Sequence, residues 1–350
     1  MNVFFHEIEL QHIVVHRVGN KTKVGGLFLS PHSLMLDHGV KSLLLNYFLD
    51  SFKEVIPFFR FKRIDKEENV MLEIAKNVFE NQNSFYQQSC KLSEFQQEVA
   101  IHPKIKSGEV YVTYFKNVKF DGHSVDAIGI FKSENKETYL KVYESSDRSL
   151  EVDRQEGVNV KKLDKGCIIY NTAQEDGYRV QVVDKTSSKS EVARFWEKDY
   201  LNIEQLEDEF FHTQNYIDLC QDFCEEVFTV KNNVSKSDQL LLLNRSLNYF
   251  CEEKEFVEEE FQKEVIKDEG VISAFIDHKA AFEEKKEVKL EPSFQVHKES
   301  AIQTRKRFRS IIKLDKNFHI YIHGDQSSIE RGYDESLQKS YYKLYFNNEN

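Results

Sequence analysis

The chain has 350 residues, 40% hydrophobic and 31% charged, enough for one large core or two ordinary ones and too apolar for wholesale disorder. Its 13 glycines and 4 prolines exclude collagen-like repeats and provide no Gly/Ser or Pro linker at which to divide it. A formal charge of −11 excludes a uniformly basic nucleic-acid coat but leaves room for a local basic face.

Ile8 to Val18 is β-branched and partly alternating, and Val24 to Ser30 is a short apolar run around Gly25-Gly26; both predict strands. Gly39 to Phe52 sets Val40, Leu43, Leu44, Tyr47, Phe48 and Phe52 at helical spacing. Lys66 to Phe79 repeats the pattern with Val70, Ile74, Val78 and Phe79. A third helix is predicted from Ser84 to Ala100, ended by Pro103. The period then shortens. Val110 to Phe115, Val125 to Phe131, Thr138 to Tyr143, Cys167 to Tyr170 and Tyr178 to Val183 are aromatic and β-branched runs. Turn pairs such as Asp121-Gly122 and Asp176-Gly177 part them, as in an antiparallel meander.

From Lys189 a helical pattern predominates to about residue 280. Tyr216, Leu219, Cys220, Phe223 and Val227 form one apolar stripe. Ser237-Asp238 precedes a helix from Gln239 to Phe250, and Phe256, Phe261, Val265 and Ile266 predict another. After Pro292 strands return at Arg309 to Asp315, Phe318 to Gly324 and Tyr341 to Phe346, with a turn around Gly332. The expected class is α+β: an N-terminal mixed half with an antiparallel meander, a central helical segment and a small C-terminal antiparallel sheet. The composition shift near Ser187-Ser188 places the expected boundary between residues 1–187 and 188–350.

No GxxxxGK[ST], GxGxxG, GxSxG or HExxH pattern occurs, so no nucleotide, hydrolase or zinc-helix motif is available. The five cysteines include no CxxC pair. Cys220 and Cys224 lie four apart on an apolar helical stripe, where packed thiols are the plainer reading. His12 and His16 share a predicted strand without a third ligand, and His319, Tyr321 and His323 share a strand face. Asp126, Glu137 and Lys141 lack the Glu-x-Lys interval of a metal-dependent nuclease. Neither a cofactor nor a metal is expected. The N-terminus MNVFFHEIELQH lacks a basic region followed by an apolar core, and Leu240 to Leu243 is too short to cross a bilayer. The expectation is a cytoplasmic protein with no membrane partner.

Charge is segregated. Ile203 to Glu291 carries 23 acidic and 10 basic residues, a net of −13 that exceeds the whole-chain value. His297 to Lys316 follows with a net of +5 from Lys298, Arg305, Lys306, Arg307, Arg309, Lys313 and Lys316 against Glu299 and Asp315. Four cations within Arg305 to Arg309 suit phosphate oxygens, which arginine binds bidentately. The same cluster would serve equally well as a solvated helix balancing the acidic segment. Glu258-Glu259-Glu260 reads as a solvated helix face or as a protein-binding surface.

Three segments carry a family likeness: Ala193-Arg-Phe-Trp-Glu-Lys-Asp-Tyr-Leu201, Asp208-Glu-Phe-Phe-His-Thr-Gln214 and Ile217-Asp-Leu-Cys-Gln-Asp-Phe223. With the closing run Ser310-Ile-Ile-Lys-Leu-Asp-Lys-Asn-Phe-His-Ile-Tyr-Ile-His-Gly324, the chain resembles the bacterial nucleoid-associated proteins of the NdpA/YejK-like group. Val158 to Tyr170 would be the strand before the helices. The likeness covers the second half, and the first half in layout alone. It implies a protein of the cytoplasmic nucleoid that binds double-stranded DNA, chiefly through phosphates, and is not an enzyme. No catalytic residue carries over. The candidate DNA contacts are Arg305, Lys306, Arg307 and Arg309, extended by Lys313 and Lys316, with Lys161, Lys162 and Lys165 as a second group. Other nucleoid proteins, reached through the acidic helices, and a second copy of the chain are the remaining candidate partners.

Overall fold

The computed structural model describes residues 1–22, 26–63, 69–186, 195–229, 234, 236–307, 310–314, 318–322, 329–346 and 348. The chain divides into two compact units, Met1–Leu206 and Glu207–Asn350.

The first unit is built on an antiparallel sheet of nine strands. They are β1 (Val3–Phe4), β2 (Glu9–Val18), β3 (Leu27–Phe28), β4 (Phe58–Phe61), β5 (Gly108–Phe120), β6 (His123–Ser133), β9 (Lys165–Tyr170), β10 (Arg179–Asp184) and β11 (Ile203–Gln205). The order across the sheet is β11-β4-β10-β9-β6-β5-β2-β3, with β1 also pairing to β5. Both faces are covered, which is why β9 is buried at every position instead of alternating with solvent. Helices α2 (Val70–Glu80) and α3 (Phe85–Val99) lie on one face, where Met71, Ile74 and Leu92 meet Val14, Val112, Ile169 and Val180. Helix α1 (His38–Leu49) lies on the other, where Phe48 stacks on Phe131 at 4.2 Å near Ile13, Phe115 and Tyr170. Side chains of successive strand residues alternate between these two cores, as the pleat requires. Asp37 and Asn69 cap α1 and α2 by accepting from Val40 N and from Met71 N and Leu72 N. Gly177 turns the chain between β9 and β10 at φ +82, where an added Cβ would meet the Phe61 carbonyl oxygen at 2.5 Å.

Two strands leave this sheet. The predicted meander strand at Thr138 to Tyr143 belongs to β7 (Lys136–Glu144), which pairs with β8 (Leu150–Val158) in a separate hairpin. Every β7 residue is exposed. The sheet closes without them because β6 pairs directly with β9.

The junction expected at 187/188 lies outside the described residues, and the compact units part later, at Leu206. The reason is packing. Phe195, Trp196, Tyr200, Leu201 and Ile203 fill the core under α2 and α3, and β11 pairs with β4. The wide helical turn Phe195–Tyr200 therefore completes the first unit instead of opening the second.

The second unit gathers α4 (Glu209–Glu226), α5 (Lys236–Glu252), α6 (Glu269–Lys286) and α7 (Lys298–Arg307) around Tyr216, Phe223, Phe250, Phe256, Phe261, Phe275 and Phe282. Phe256 lies on strand β12 (Glu255–Val257), paired with β13 (Ser293–Gln295), so the predicted helix around Phe256 is a ribbon followed by the helical turns Glu258–Phe261 and Gln262–Ile266. Two further hairpins follow: β14 (Ser310–Leu314) with β15 (Phe318–Ile322), and β16 (Ile329–Asp334) with β17 (Lys339–Leu344). Gly332, predicted to turn, sits inside β16 opposite Tyr341. The fold is α+β throughout.

Candidate nucleic-acid interface

The strongest sequence signal falls on α7. Ser300 and Ala301 face the core and Thr304 Oγ1 donates to Gln214 Oε1 at 3.1 Å, so Arg305 and Lys306 are left exposed. Arg305 lies near Cys251, whose thiol burial pushes up against the opposing guanidinium charge. Arg307 ends the helix and Lys313 lies on β14, but their side chains, like Arg309 and Lys316 as a whole, lie outside the described residues.

The second expected group divides. Lys161 and Lys162 are exposed in the loop between β8 and β9. Lys165 is not a surface cation: it is 3% exposed, and its Nζ donates to Asp184 Oδ2 at 2.6 Å. Its neighbours lie in a loop, whereas Lys165 opens β9, paired with Lys132 on one side and Asp184 on the other.

The sheet register brings more lysines to the same end. Val18 at the close of β2 pairs with Gly108 at the start of β5, Glu109 with Ser133 near the close of β6, and Lys132 with Lys165. The connecting loops are tied together. Lys21 N donates to Ala100 O at 2.9 Å and Asn20 Nδ2 to His102 O at 2.6 Å. Lys106 Nζ reaches Asn135 Oδ1 at 2.8 Å, and Asn135 Nδ2 reaches Asp164 Oδ1 at 2.8 Å, directly below Lys161 and Lys162 in sequence. Lys21, Lys104, Lys106, Lys161 and Lys162 are thereby exposed along one rim.

Four of the acids at this end, Glu109, Glu134, Asp164 and Asp184, are turned inward and held by internal partners. Glu137, which accepts from Asn159 Nδ2 at 2.8 Å beside Lys161, is exposed. Glu134 meets Lys132 at 3.1 Å with both side chains almost wholly buried, and Glu109 meets Lys136 at 2.7 Å. Asp164, 2% exposed, accepts from Glu134 N, Asn135 N and Asn135 Nδ2. Burial pushes the Lys132 ammonium below its ordinary value, with Glu134 acting in the opposite direction. The result is an inner layer of ion pairs under an outer layer of lysines, a potential suited to polyanions. Sequence reasoning missed Lys21, Lys104 and Lys106 because the rim is assembled by strand pairing. The available signal was two loops, 19–22 and 100–107, with lysines and no acid.

Of the other sequence candidates, His323 and the side chains of His319 and Tyr321 lie outside the described residues, and those that follow are structural. His16 Nε2 bonds Ser89 Oγ at 3.1 Å, its Nδ1 accepts from Ser30 N, and burial pushes it down to about 4. Cys220 and Cys224 are buried in the second core. Asp126 accepts from Tyr114 OH at 2.6 Å, apart from Glu137 and Lys141 on the β7–β8 hairpin. Among the described residues no group of three or more His, Cys, Asp or Glu is placed to hold a metal. A pocket of about 590 Å³ in the second unit is lined by Glu258, Glu259 and Glu283 among others. Glu258 is held by Lys279 at 2.7 Å beside the Tyr216 hydroxyl, and Glu283 accepts from Leu290 N at 2.8 Å, so two of the three carboxylates serve the fold. Among the described residues, no helix is long and apolar enough to cross a membrane.

Compared with curated proteins, the chain matches none. Its sequence does match the family described as nucleoid-associated protein YejK, over residues 14–339. That span takes in the whole rim, α7 and every buried core residue but Leu10 and Ile13, and the chain belongs to this nucleoid-associated protein family.

Proposed function

We propose that the chain binds duplex DNA on the cytoplasmic nucleoid without catalysis, holding phosphates through the lysine rim of the first unit and the basic stretch from Arg305 to Lys316 of the second. The rim carries the reading: its lysines point outward while Glu109, Glu134, Asp164 and Asp184 are spent on internal partners. Net acidity is no obstacle, because the acidic residues concentrate between Ile203 and Glu291. Ammonium groups on exposed loops contact backbone oxygens and leave base edges unread, so sequence preference is weak.

Anisotropy titrations of labelled duplexes across salt concentrations test this. Each neutralised phosphate contributes about −0.9 to the slope of log affinity against log salt. Replacing Lys21, Lys104, Lys106, Lys161 and Lys162 by Gln removes up to about 4.5 from that slope, and Arg305→Gln with Lys306→Gln up to about 1.8. Unrelated duplexes lose affinity equally. An unchanged slope in a folded rim variant removes the rim from the interface. No binding by the unaltered chain at about 50 mM salt refutes the DNA reading itself.

A further inference from the structure

The last hairpin, β16 with β17, carries an ordered series of side chains on one face. Alternation along β17 sends Lys339, Tyr341 and Lys343 to that face and Ser340, Tyr342 and Leu344 to the other. Residue 345 continues the first series: Lys343 Nζ lies 5.3 Å from the centroid of the Tyr345 ring, so the two side chains stand together. The face therefore reads Lys-Tyr-Lys-Tyr, and all four residues are exposed, Tyr341 by 47% and Tyr345 by 50%. Across from Tyr341 the register sets Gly332, where an added Cβ would run into the outer edge of the Tyr341 ring. The missing side chain lets that ring lie down across the partner strand, one face on the glycine and the opposite face open. Asp334, opposite Lys339, is engaged in the turn, accepting from Ser336 N at 2.9 Å, Ser336 Oγ at 2.6 Å and Leu337 N at 3.0 Å. The family match ends at residue 339, where β17 begins, so most of this face lies outside the stretch that the family shares.

We propose that this face is a stacking platform for an unpaired nucleic-acid strand, with Tyr341 and Tyr345 each taking the flat face of a base and Lys339 and Lys343 holding the phosphates beside them. Aromatic rings that alternate with cations are what a single strand needs, because every base has a π-face and every linkage a charge. The spacing fits: the two tyrosines are four residues apart, about 14 Å along the strand, with Lys343 between them where the backbone joining two stacked bases passes. A duplex cannot use these rings, since its base faces are covered by their own neighbours. A protein partner fits less well, because interface centres are poor in lysine and here an ammonium flanks each ring. Glu330 holds the register position opposite Lys343, and a carboxylate there opposes phosphate, so affinity is moderate. This inference goes beyond duplex binding by the lysine rim and stands without it.

Anisotropy titrations of the full chain with labelled oligo(dT), oligo(rU) and a duplex test the platform. The expected result is binding of the unpaired strands; dT alone, rU alone or both supports the platform and names the source of the strand. Tyr341→Leu and Tyr345→Leu, which keep an apolar side chain without a π-face, each weaken that binding by about 5- to 150-fold. Tyr341→Phe and Tyr345→Phe keep the ring and leave binding nearly unchanged, whereas Glu330→Gln tightens it. Lys339→Gln with Lys343→Gln flattens the salt slope by about 1.4. Duplex affinity is the same in the leucine variants as in the unaltered chain. The leucine effect persists when the five rim lysines are replaced, so failure of the duplex reading and failure of this one are told apart. Tyr345 lies beyond β17 and does not cover Gly332, so its variants report on stacking even where Tyr341→Leu loosens the hairpin in circular dichroism. No binding of either unpaired strand at about 50 mM salt, leucine variants that bind as the phenylalanine ones do, or equal losses for duplex and single strand overturns the proposal.

Discussion

Cutting the chain at Thr186 instead of Leu206 should decide whether the first unit folds at all. The longer fragment keeps Phe195, Trp196, Tyr200, Leu201, Ile203 and Leu206, all at most 8% exposed, together with the β11–β4 pairing. Full burial of one large apolar side chain contributes about 1.5–3 kcal/mol. Six of them amount to roughly 9–18 kcal/mol, an upper bound because the unfolded chain already hides some apolar surface. A whole domain has only about 5–15 kcal/mol of net stability. Fragment 1–186 should therefore lack a cooperative transition in urea, while fragment 1–206 unfolds in one step. Trp196 is the single tryptophan of the chain and is fully buried, so its emission reports the second transition without labelling. The shorter fragment is followed by circular dichroism. A cooperative transition of fragment 1–186 with the midpoint of 1–206 would refute the argument, and would return residues 195–206 to the second unit.

Two further outcomes follow from buried polar groups. His16 is held neutral with its pKa pushed down to about 4, whereas the unfolded chain takes up the proton near 6.5. Stability is therefore complete above that range and falls as pH drops, by about 2.5 kcal/mol at pH 4.5, and His16→Gln should remove this component from paired urea melts at pH 7 and 4.5. Lys165→Met strands the Asp184 carboxylate and should cost about 3 kcal/mol in a thermal or urea melt. It should leave the salt slope of DNA binding as it was; a flatter slope would mean that Lys165 reaches solvent.

Periodicity made the helices readable, since α1 to α3 each bury a stripe at 3.6-residue spacing against a covered sheet. Strand β4 was not readable: Phe58-Phe-Arg-Phe61 is too short to show a period, and its place is set by partners at Val180 and Ile203, far along the chain. Trp196 was recognisable as a family position, yet the core it fills, under α2 and α3, was not legible, because a sequence shows that an aromatic is buried and not where. The same limit explains both candidate basic patches. Arg305 to Arg309 stood out as local density, whereas Lys21, Lys104 and Lys161 are gathered only by register. Lys165, close to Lys161 and Lys162 in sequence, is carried inward by the first residue of a strand.

Strand β4 also bears on how this chain is made. It leaves the ribosome early, but the strands on either side of it, β10 and β11, begin at Arg179 and Ile203. At about 5–20 residues per second, the interval from Phe61 to Arg179, where the first of these partners begins, is roughly 6–24 s of synthesis. For that time three phenylalanines and a row of open backbone donors and acceptors have no native neighbour, the condition under which nascent strands pair with the wrong chain. Helix α2 and α3 emerge in the meantime and find only half of their sheet. The nascent first unit is thus a client for chaperones that shield aromatic segments, and synonymous changes that slow translation between residues 61 and 203 should lower its soluble yield.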